Sequence, residues 1–196
     1  MEETVLIVMG SHRQAGYSGK TVAYLEALLN EHAIRTVVVD VNGLKIDHCI
    51  DCGYCSKNKG QCVFTDDMDE IYKLLKDINH MVVVSPVYFN GIGSRLKTLV
   101  DRCQMIFMSE FAFKTPYPKC INQALKGGYL ISFGGANAYE NQFIGNEATI
   151  GLLMRNLKMP LKSHLKYAGT DHWEKERLPD AVTEDIQAIV KHILKR

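Results

Sequence analysis

Thr4-Val5-Leu6-Ile7-Val8-Met9 runs straight into Gly10-Ser11-His12-Arg13-Gln14-Ala15-Gly16-Tyr17-Ser18. The first six residues are a continuous apolar run rich in β-branched side chains and closed by a glycine, as expected of a parallel strand buried on both faces. Beyond the Gly- and Ser-rich loop, residues 21–31 carry Val22, Leu25, Leu28 and Leu29 at helical spacing, and residues 34–40 (IRTVVVD) read as a second strand. This is a β-α-β unit.

The alternation continues along the chain. Thr65-Asp66-Asp67 ahead of Met68, Ile71, Leu74 and Leu75 predicts a helix with a capping residue and an acidic first turn. Residues 80–85 (HMVVVS) predict the third strand, and residues 91–107 one long helix with Leu96, Leu99, Val100, Cys103 and Ile106 along one side. After a Pro-containing aromatic interruption at 111–119, residues 129–133 form the fourth strand, 148–157 a helix, 162–169 the fifth strand and 183–194 the last helix. Strands alternating with helices give an α/β fold, a doubly wound parallel sheet with helices on both faces. Its common strand order is 2-1-3-4-5, with ligands beyond the carboxyl ends of strands one and three. No repeat or linker divides the chain, so residues 1–196 are expected to form a single domain.

Composition narrows the function. With 46% hydrophobic residues the chain can bury a full core, and 23 Lys and Arg against 22 Asp and Glu leave a net charge of +1. That balance gives no reason to expect nucleic acid or an anionic membrane as a partner. The start, MEETVLIVMGSHRQAG, has acidic residues where an export signal needs basic ones. No apolar run approaches the ~18 residues of a membrane span. A cytoplasmic protein is expected, where cysteines serve more often as thiols or ligands than as disulfides.

Two loops face the expected ligand position. In the first, Ser11 and Ser18 offer hydroxyls, Arg13 a charged fork, and Gly10 and Gly16 close backbone approach at a helix amino terminus, with His12 and Tyr17 between them. A terminal phosphate is the natural guest. The loop matches neither the Walker pattern nor GxGxxG, which argues against ATP hydrolysis and an NAD-binding dehydrogenase. In the second, Ser85-Pro86-Val87-Tyr88-Phe89-Asn90-Gly91, Pro86 stiffens the turn and Tyr88 and Phe89 offer aromatic faces to a planar ring. A third segment after strand four, with Ser132, Gly134 and Gly135, lets backbone N–H groups approach the same ring.

Cys49, Cys52, Cys55 and Cys62 lie in the loop at 47–64 that follows strand two, spaced C-x2-C-x2-C-x6-C. Four soft ligands so closely spaced suit an iron-sulfur cluster or zinc. Cys103 and Cys120 stand apart from this group and read as small buried or semi-buried residues.

Taken together, GSHRQAGYS, the cysteine loop running into Thr65-Asp66-Asp67-Met68, SPVYFNGIGSRLKTLVDR and the SFGG turn resemble the NADPH-dependent FMN reductase superfamily, and within it the iron-sulfur flavoproteins. The resemblance extends from about residue 4 to about residue 135. It implies a flavodoxin-like fold, tightly bound FMN, and homodimers or homotetramers that bring a neighbour's residues near the flavin. By that resemblance Ser11, Arg13, Tyr17 and Ser18 hold the phosphate, and Pro86, Val87, Tyr88, Phe89 and Asn90 the ribityl chain and ring. The family's phosphate loop commonly closes with Asn-Thr. Tyr17-Ser18 keeps the hydroxyl and replaces the amide, which leaves the role of Tyr17 open. The cysteine spacing resembles the motif that holds a [4Fe-4S] cluster in those flavoproteins; zinc, and metal-free thiols or a labile disulfide, remain the alternatives.

The function expected is an FMN-dependent oxidoreductase. NAD(P)H would donate hydride to the flavin, and a quinone, nitroaromatic, flavin or redox protein would accept the electrons. The alternative is an electron-transfer flavoprotein without its own substrate, although such carriers are usually strongly acidic and this chain is not. A redox sensor is a third reading, with no basic patch through which to act on DNA. His164, His172 and Trp173 lie in the segment that matches no motif, and could face a neighbour's flavin or serve as ordinary surface or core residues.

Overall fold

The computed structural model describes residues 3–115 and 127–195. Cys120, expected to be buried or semi-buried, lies outside these residues, as does part of the interruption at 111–119. The elements run β1 (Thr4–Met9), α1 (Tyr17–Glu31), β2 (Arg35–Asp40), α2 (Tyr54–Lys57), α3 (Met68–Asp77), β3 (His80–Pro86), α4 (Ser94–Arg102) and α5 (Gln104–Phe111). They continue through β4 (Gly127–Phe133), α6 (Ile144–Asn156), β5 (Leu161–Tyr167), a 3-10 turn (Thr170–His172) and α7 (Asp180–Leu194). The strands form a five-stranded sheet in the order β2-β1-β3-β4-β5, and every pairing is parallel. This is the flavodoxin-like arrangement.

Alternation of side chains divides each central strand between two apolar layers. Leu6, Val8, Met81, Val83 and Leu130 pack with α3, α4, α5 and α6. Val5, Ile7, Val82, Val84 and Ile131 pack with α1 and α7. Both layers are apolar, so β1, β3 and β4 read as uninterrupted hydrophobic runs. The edge strand β5 (LKSHLKY) is only half-buried and carries two lysines, a composition that discourages pairing with another chain.

Residues 91–107 do not form one helix. α4 ends at Arg102, Cys103 adopts ψ 1°, and α5 begins at Gln104. Cys103 and Ile106 remain buried in the same layer as Leu96 and Leu99, so the apolar spacing continues across a bend that no Gly or Pro announces. Three other helices begin earlier than their apolar pattern, α7 among them at Asp180. α1 starts at Tyr17 and α6 at Ile144, because their first turns are made of small or polar residues that bury against loops: Ser18 and Gly19 in one, Asn146 in the other. At the start of α3, Asp66 Oδ1 accepts the Met68 N–H (3.0 Å) while Asp67 Oδ2 accepts the Lys45 N–H (2.7 Å). The acidic pair therefore caps the helix and fastens the cysteine loop at once.

Candidate functional site

The loops after β1, β3 and β4 meet at the carboxyl edge of the sheet. The Gly10 N–H donates to the Val84 carbonyl (2.8 Å) and the Val87 N–H to the Phe133 carbonyl (2.8 Å). A side chain on Gly10 would stand 2.7 Å from a Leu96 methyl, so only glycine lets the first loop lie this close to α4.

In the first loop, Ser11 and Ser18 are buried, while His12 and Arg13 are exposed. Ser11 Oγ accepts the Arg13 N–H (3.2 Å), and the Asn42 Nδ2 amide donates to the Ser11 carbonyl (2.7 Å). Gly16 caps α1 in an extended conformation, with no side-chain hydrogen bond at the cap among the described residues. The first N–H groups of the helix therefore remain available to an anion. Gly19 is the residue the sequence pattern did not single out: a Cβ there would lie 1.8 Å from the Gln14 carbonyl oxygen, so the loop folds back onto the helix only over a glycine.

In the second loop, Tyr88 and Gly91 exchange N–H to carbonyl bonds (2.8 and 2.9 Å) around a tight turn. Phe89 (φ 48°) and Asn90 (φ 60°) both occupy the left-handed region, and the Phe89 ring is fully exposed. An aromatic side chain held in this conformation costs about 1–2 kcal/mol and buries nothing of its own in return. Such strain is characteristic of ligand-contacting turns. The turn is braced from behind: the Gly145 N–H donates to the Asn90 carbonyl (2.8 Å), and the Tyr139 hydroxyl donates to Asn90 Oδ1.

The third segment differs from expectation. The Gly134 N–H is committed to the Tyr167 carbonyl (2.7 Å). The Ser132 hydroxyl lies 2.9 Å from His164 Nε2 and accepts the Asn146 Nδ2 amide (3.0 Å), on the side facing α6. Both are therefore used internally, because β5 and α6 pack against the end of β4. The Gly135 N–H is the amide of this pair without a partner among the described residues. Burial lowers the His164 pKa, against the opposing hydrogen bond that it donates to Glu147. Glu147 is itself held below the usual carboxylate range by Lys166 and His164.

The segment after β5 completes the rim. Backbone bonds join Gly169 to Ala136, Thr170 to Gly134 and Asp171 to Gly135. The Tyr17 hydroxyl donates to the Glu174 carbonyl (3.0 Å) and Lys20 Nζ to the Lys175 carbonyl. Tyr17, Phe133, Tyr167 and Trp173 form one aromatic cluster. Burial raises the Tyr17 pKa, assisted by Glu176, Asp171 and Glu174. The position where the sequence departs from Asn-Thr is thus where the carboxyl-terminal segment docks.

On the α3–α5 side of the sheet, Cys49, Cys52, Cys55 and Cys62 all line one cavity of about 240 Å³, with Ile50, Val63, Phe64, Met105 and Met108 among its walls. Gly53 and Asp51 take positive φ to turn the loop, and the Ser56 hydroxyl donates to the Gly53 carbonyl (2.7 Å). Asp47 and His48 are exposed, as befits solvated loop residues. Asp66 Oδ2 accepts the Asp47 N–H (3.0 Å), and Arg102 bonds both the Asp47 carbonyl (2.8 Å) and Asp66 (2.6 Å). Burial pushes the Asp66 carboxyl up, but the Arg102 fork and the Asp47 and Met68 amides outweigh it and hold it below the usual range. Burial raises the Cys55 thiol, and charge on Cys62, Cys49 and Cys52 raises it further. A cationic centre among the four would relieve that repulsion. Among the described residues no three Cys, His, Asp or Glu side chains converge tightly enough to hold one metal ion. Cys103 is buried apart from the cavity, its pKa pushed up to about 12 by burial.

The sequence profile of NADPH-dependent FMN reductases matches residues 4–132. The chain belongs to this family. The matched region ends within β4. It is 37% identical over 86 residues to an iron-sulfur flavoprotein of Archaeoglobus fulgidus, a match covering 44% of each chain. The alignment thus spans less than half that relative's length. It is 29% identical over 184 residues to an iron-sulfur flavoprotein of Methanocaldococcus jannaschii, covering 93% of this chain and 87% of that one. An FMN-dependent NADH-azoreductase from Bacillus anthracis, solved with FMN, superposes with a TM-score of 0.69 at 12% identity over 98% of this chain and 99% of that one. At that identity the likeness establishes the fold alone. No helix among the described residues is long and apolar enough to cross a membrane.

Proposed function

We propose that the chain binds FMN at the carboxyl edge of β1, β3 and β4 and passes electrons from NAD(P)H to a quinone, nitroaromatic, flavin or redox-protein acceptor. The observation that carries this reading is the convergence of three loops: an uncapped helix amino terminus fit for a phosphate, a strained aromatic turn fit for a ring, and the Gly135 amide beside them. Bound there, FMN supplies the hydride and electron chemistry. The protein orients and insulates it. Ser11, Arg13, Ser18 and the first N–H groups of α1 hold the phosphate, with Gly16 and Gly19 shaping the backbone around it. Tyr88, Phe89, Asn90 and Gly91 form one wall, and Tyr17 closes the rim through Trp173. The Gly135 N–H would stabilise negative charge developing on the ring.

The four cysteines are proposed to hold a [4Fe-4S] cluster as an accessory electron site. Around one zinc ion, four thiolates are drawn to about 2.3 Å. A four-iron cluster gives each thiolate its own iron and keeps the sulfurs apart at its corners. Four cysteines lining one cavity are the donor set such a cluster takes, and the two archaeal relatives named for iron and sulfur are consistent with it. The exposed side chains Phe89, Phe111, Ile144 and Leu152 support a homodimer or homotetramer, with all residues acting as one domain. Purification under nitrogen, with flavin, iron and sulfide quantified and NADH and NADPH oxidation assayed against these acceptors, tests the reading. Turnover supports the enzyme. Rapid reduction by ferredoxin with no nicotinamide oxidation would instead support a carrier.

A further inference from the structure

Arg102 stands at the carboxyl end of α4, 1% exposed, and lines the cysteine cavity. Nη1 donates to Asp66 Oδ2 (2.6 Å) and to the Asp47 carbonyl (2.8 Å), and Nη2 donates to Asp66 Oδ1 (3.2 Å). The guanidinium carbon sits 5.0 Å from the Phe64 ring centroid. Its Nε–H is buried without a hydrogen-bond partner among the described residues. A buried guanidinium donor without an acceptor is costly, and native structures rarely leave one so. The fork is also rigid, so the groups that fix Nη1 and Nη2 fix where Nε points.

The same cavity is walled by sulfur. Burial opposes the guanidinium charge, and the Asp66 bond, then Tyr72, then Cys62 favour it. A cluster bound by four thiolates is anionic, and each added electron makes it more so. Hydrogen bonds to its sulfurs and nearby charge are the means by which a protein sets its reduction potential.

We propose that Arg102 is the positioning residue of the cysteine site: its Nε–H donates to a sulfur of the cluster held by Cys49, Cys52, Cys55 and Cys62, favouring the reduced form. The inference rests on the cluster reading given above. Asp66 plays the opposing part, since its carboxylate fixes the fork while offsetting its charge. Arg102 also joins the two sites mechanically, because α4 begins at Ser94, just beyond the aromatic turn, and ends at the cysteine cavity.

The test uses full-length protein purified under nitrogen with its iron and sulfide counted. Protein labelled with 15N only in arginine, reduced with dithionite, is examined by pulsed EPR. A 15N coupling to the reduced cluster is expected in the wild type; its absence overturns the proposal. R102K keeps a positive charge opposite Asp66 and removes the Nε donor. With iron content equal to wild type, it should lose the coupling and be about tenfold harder to reduce, about 59 mV lower for a one-electron couple. D66N, which removes the offsetting charge, should shift the potential upward. An unchanged potential in iron-loaded R102K overturns the proposal, and should R102K fail to fold, the wild-type coupling decides alone. Wild type that binds no iron and sulfide refutes the cluster reading itself and the proposal with it.

Discussion

The Trp173 ring meets the Tyr17 ring edge-on, with centroids 5.2 Å apart and planes at 74°. Tyr17 opens the helix that follows the phosphate loop, and Trp173 follows the 3-10 turn after the last strand, so the contact joins the first functional loop to the carboxyl-terminal part of the chain. An aromatic pair of this kind contributes about 0.5–1.5 kcal/mol beyond its buried area. Trp173→Ala is therefore expected to weaken FMN binding by roughly threefold to tenfold, measured by flavin fluorescence titration. Tyr17→Phe, which loses the hydroxyl bond to Glu174 but keeps the ring, should have the smaller effect, and equal losses in the two variants would contradict this account.

Gly19→Ala places a methyl group 1.8 Å from the Gln14 carbonyl, so the phosphate loop must open. Binding should fall by at least tenfold while far-ultraviolet circular dichroism remains native, because the displaced loop lies outside both apolar layers. Retained affinity would show that the loop does not hold the phosphate.

Phe89→Gly removes a fully exposed ring from a position with φ 48°. Relief of left-handed strain should raise stability to denaturant, by about 1 kcal/mol after glycine's own chain entropy is counted. Flavin retention should fall in the same protein. A loss of stability would mean that the ring serves the fold.

His164 gives a pH dependence with a definite sign. Its folded pKa lies below the ordinary 6.5, chiefly through burial, so the folded state resists protonation that the unfolded chain accepts. The stability it contributes is complete above about pH 6.5 and is lost as pH falls from there through the folded value. Ser132, Glu147 and Lys166 surround it, and protonation would tighten the Glu147 contact while turning the Ser132 contact into a donated bond. Thermal unfolding followed from pH 8 to pH 5 should show a decline that flattens in His164→Gln. An identical decline in the variant would assign it to other groups.

The sheet was legible because three buried strands, Thr4–Met9, His80–Pro86 and Gly127–Phe133, carry apolar residues on both faces. An apolar run of that length between Gly- and Ser-rich loops is too short for a core helix and too apolar for an exposed segment. The two main loops were legible for a related reason: Gly16, Pro86 and Asn90 constrain backbone locally and leave a trace in composition. What escaped were contacts between distant segments. Arg102 reads as the polar end of an amphipathic helix, and nothing beside it announces Asp66 or the Asp47 carbonyl. Gly19 is one more glycine near a helix start until Gln14 folds over it. The glycines of the SFGG turn did suggest free amides, but Tyr167 lies on β5 and takes one of them.

The central claim is that FMN is held by its phosphate on the loop between Gly10 and Ser18. The direct measurement compares FMN with riboflavin, which has the same ring and ribityl chain but no phosphate, by equilibrium titration of flavin-free protein. One FMN per chain should bind, with riboflavin at least a hundredfold weaker and the difference shrinking in Gly19→Ala. Equal affinity for the two, or no uptake of FMN, would contradict the account.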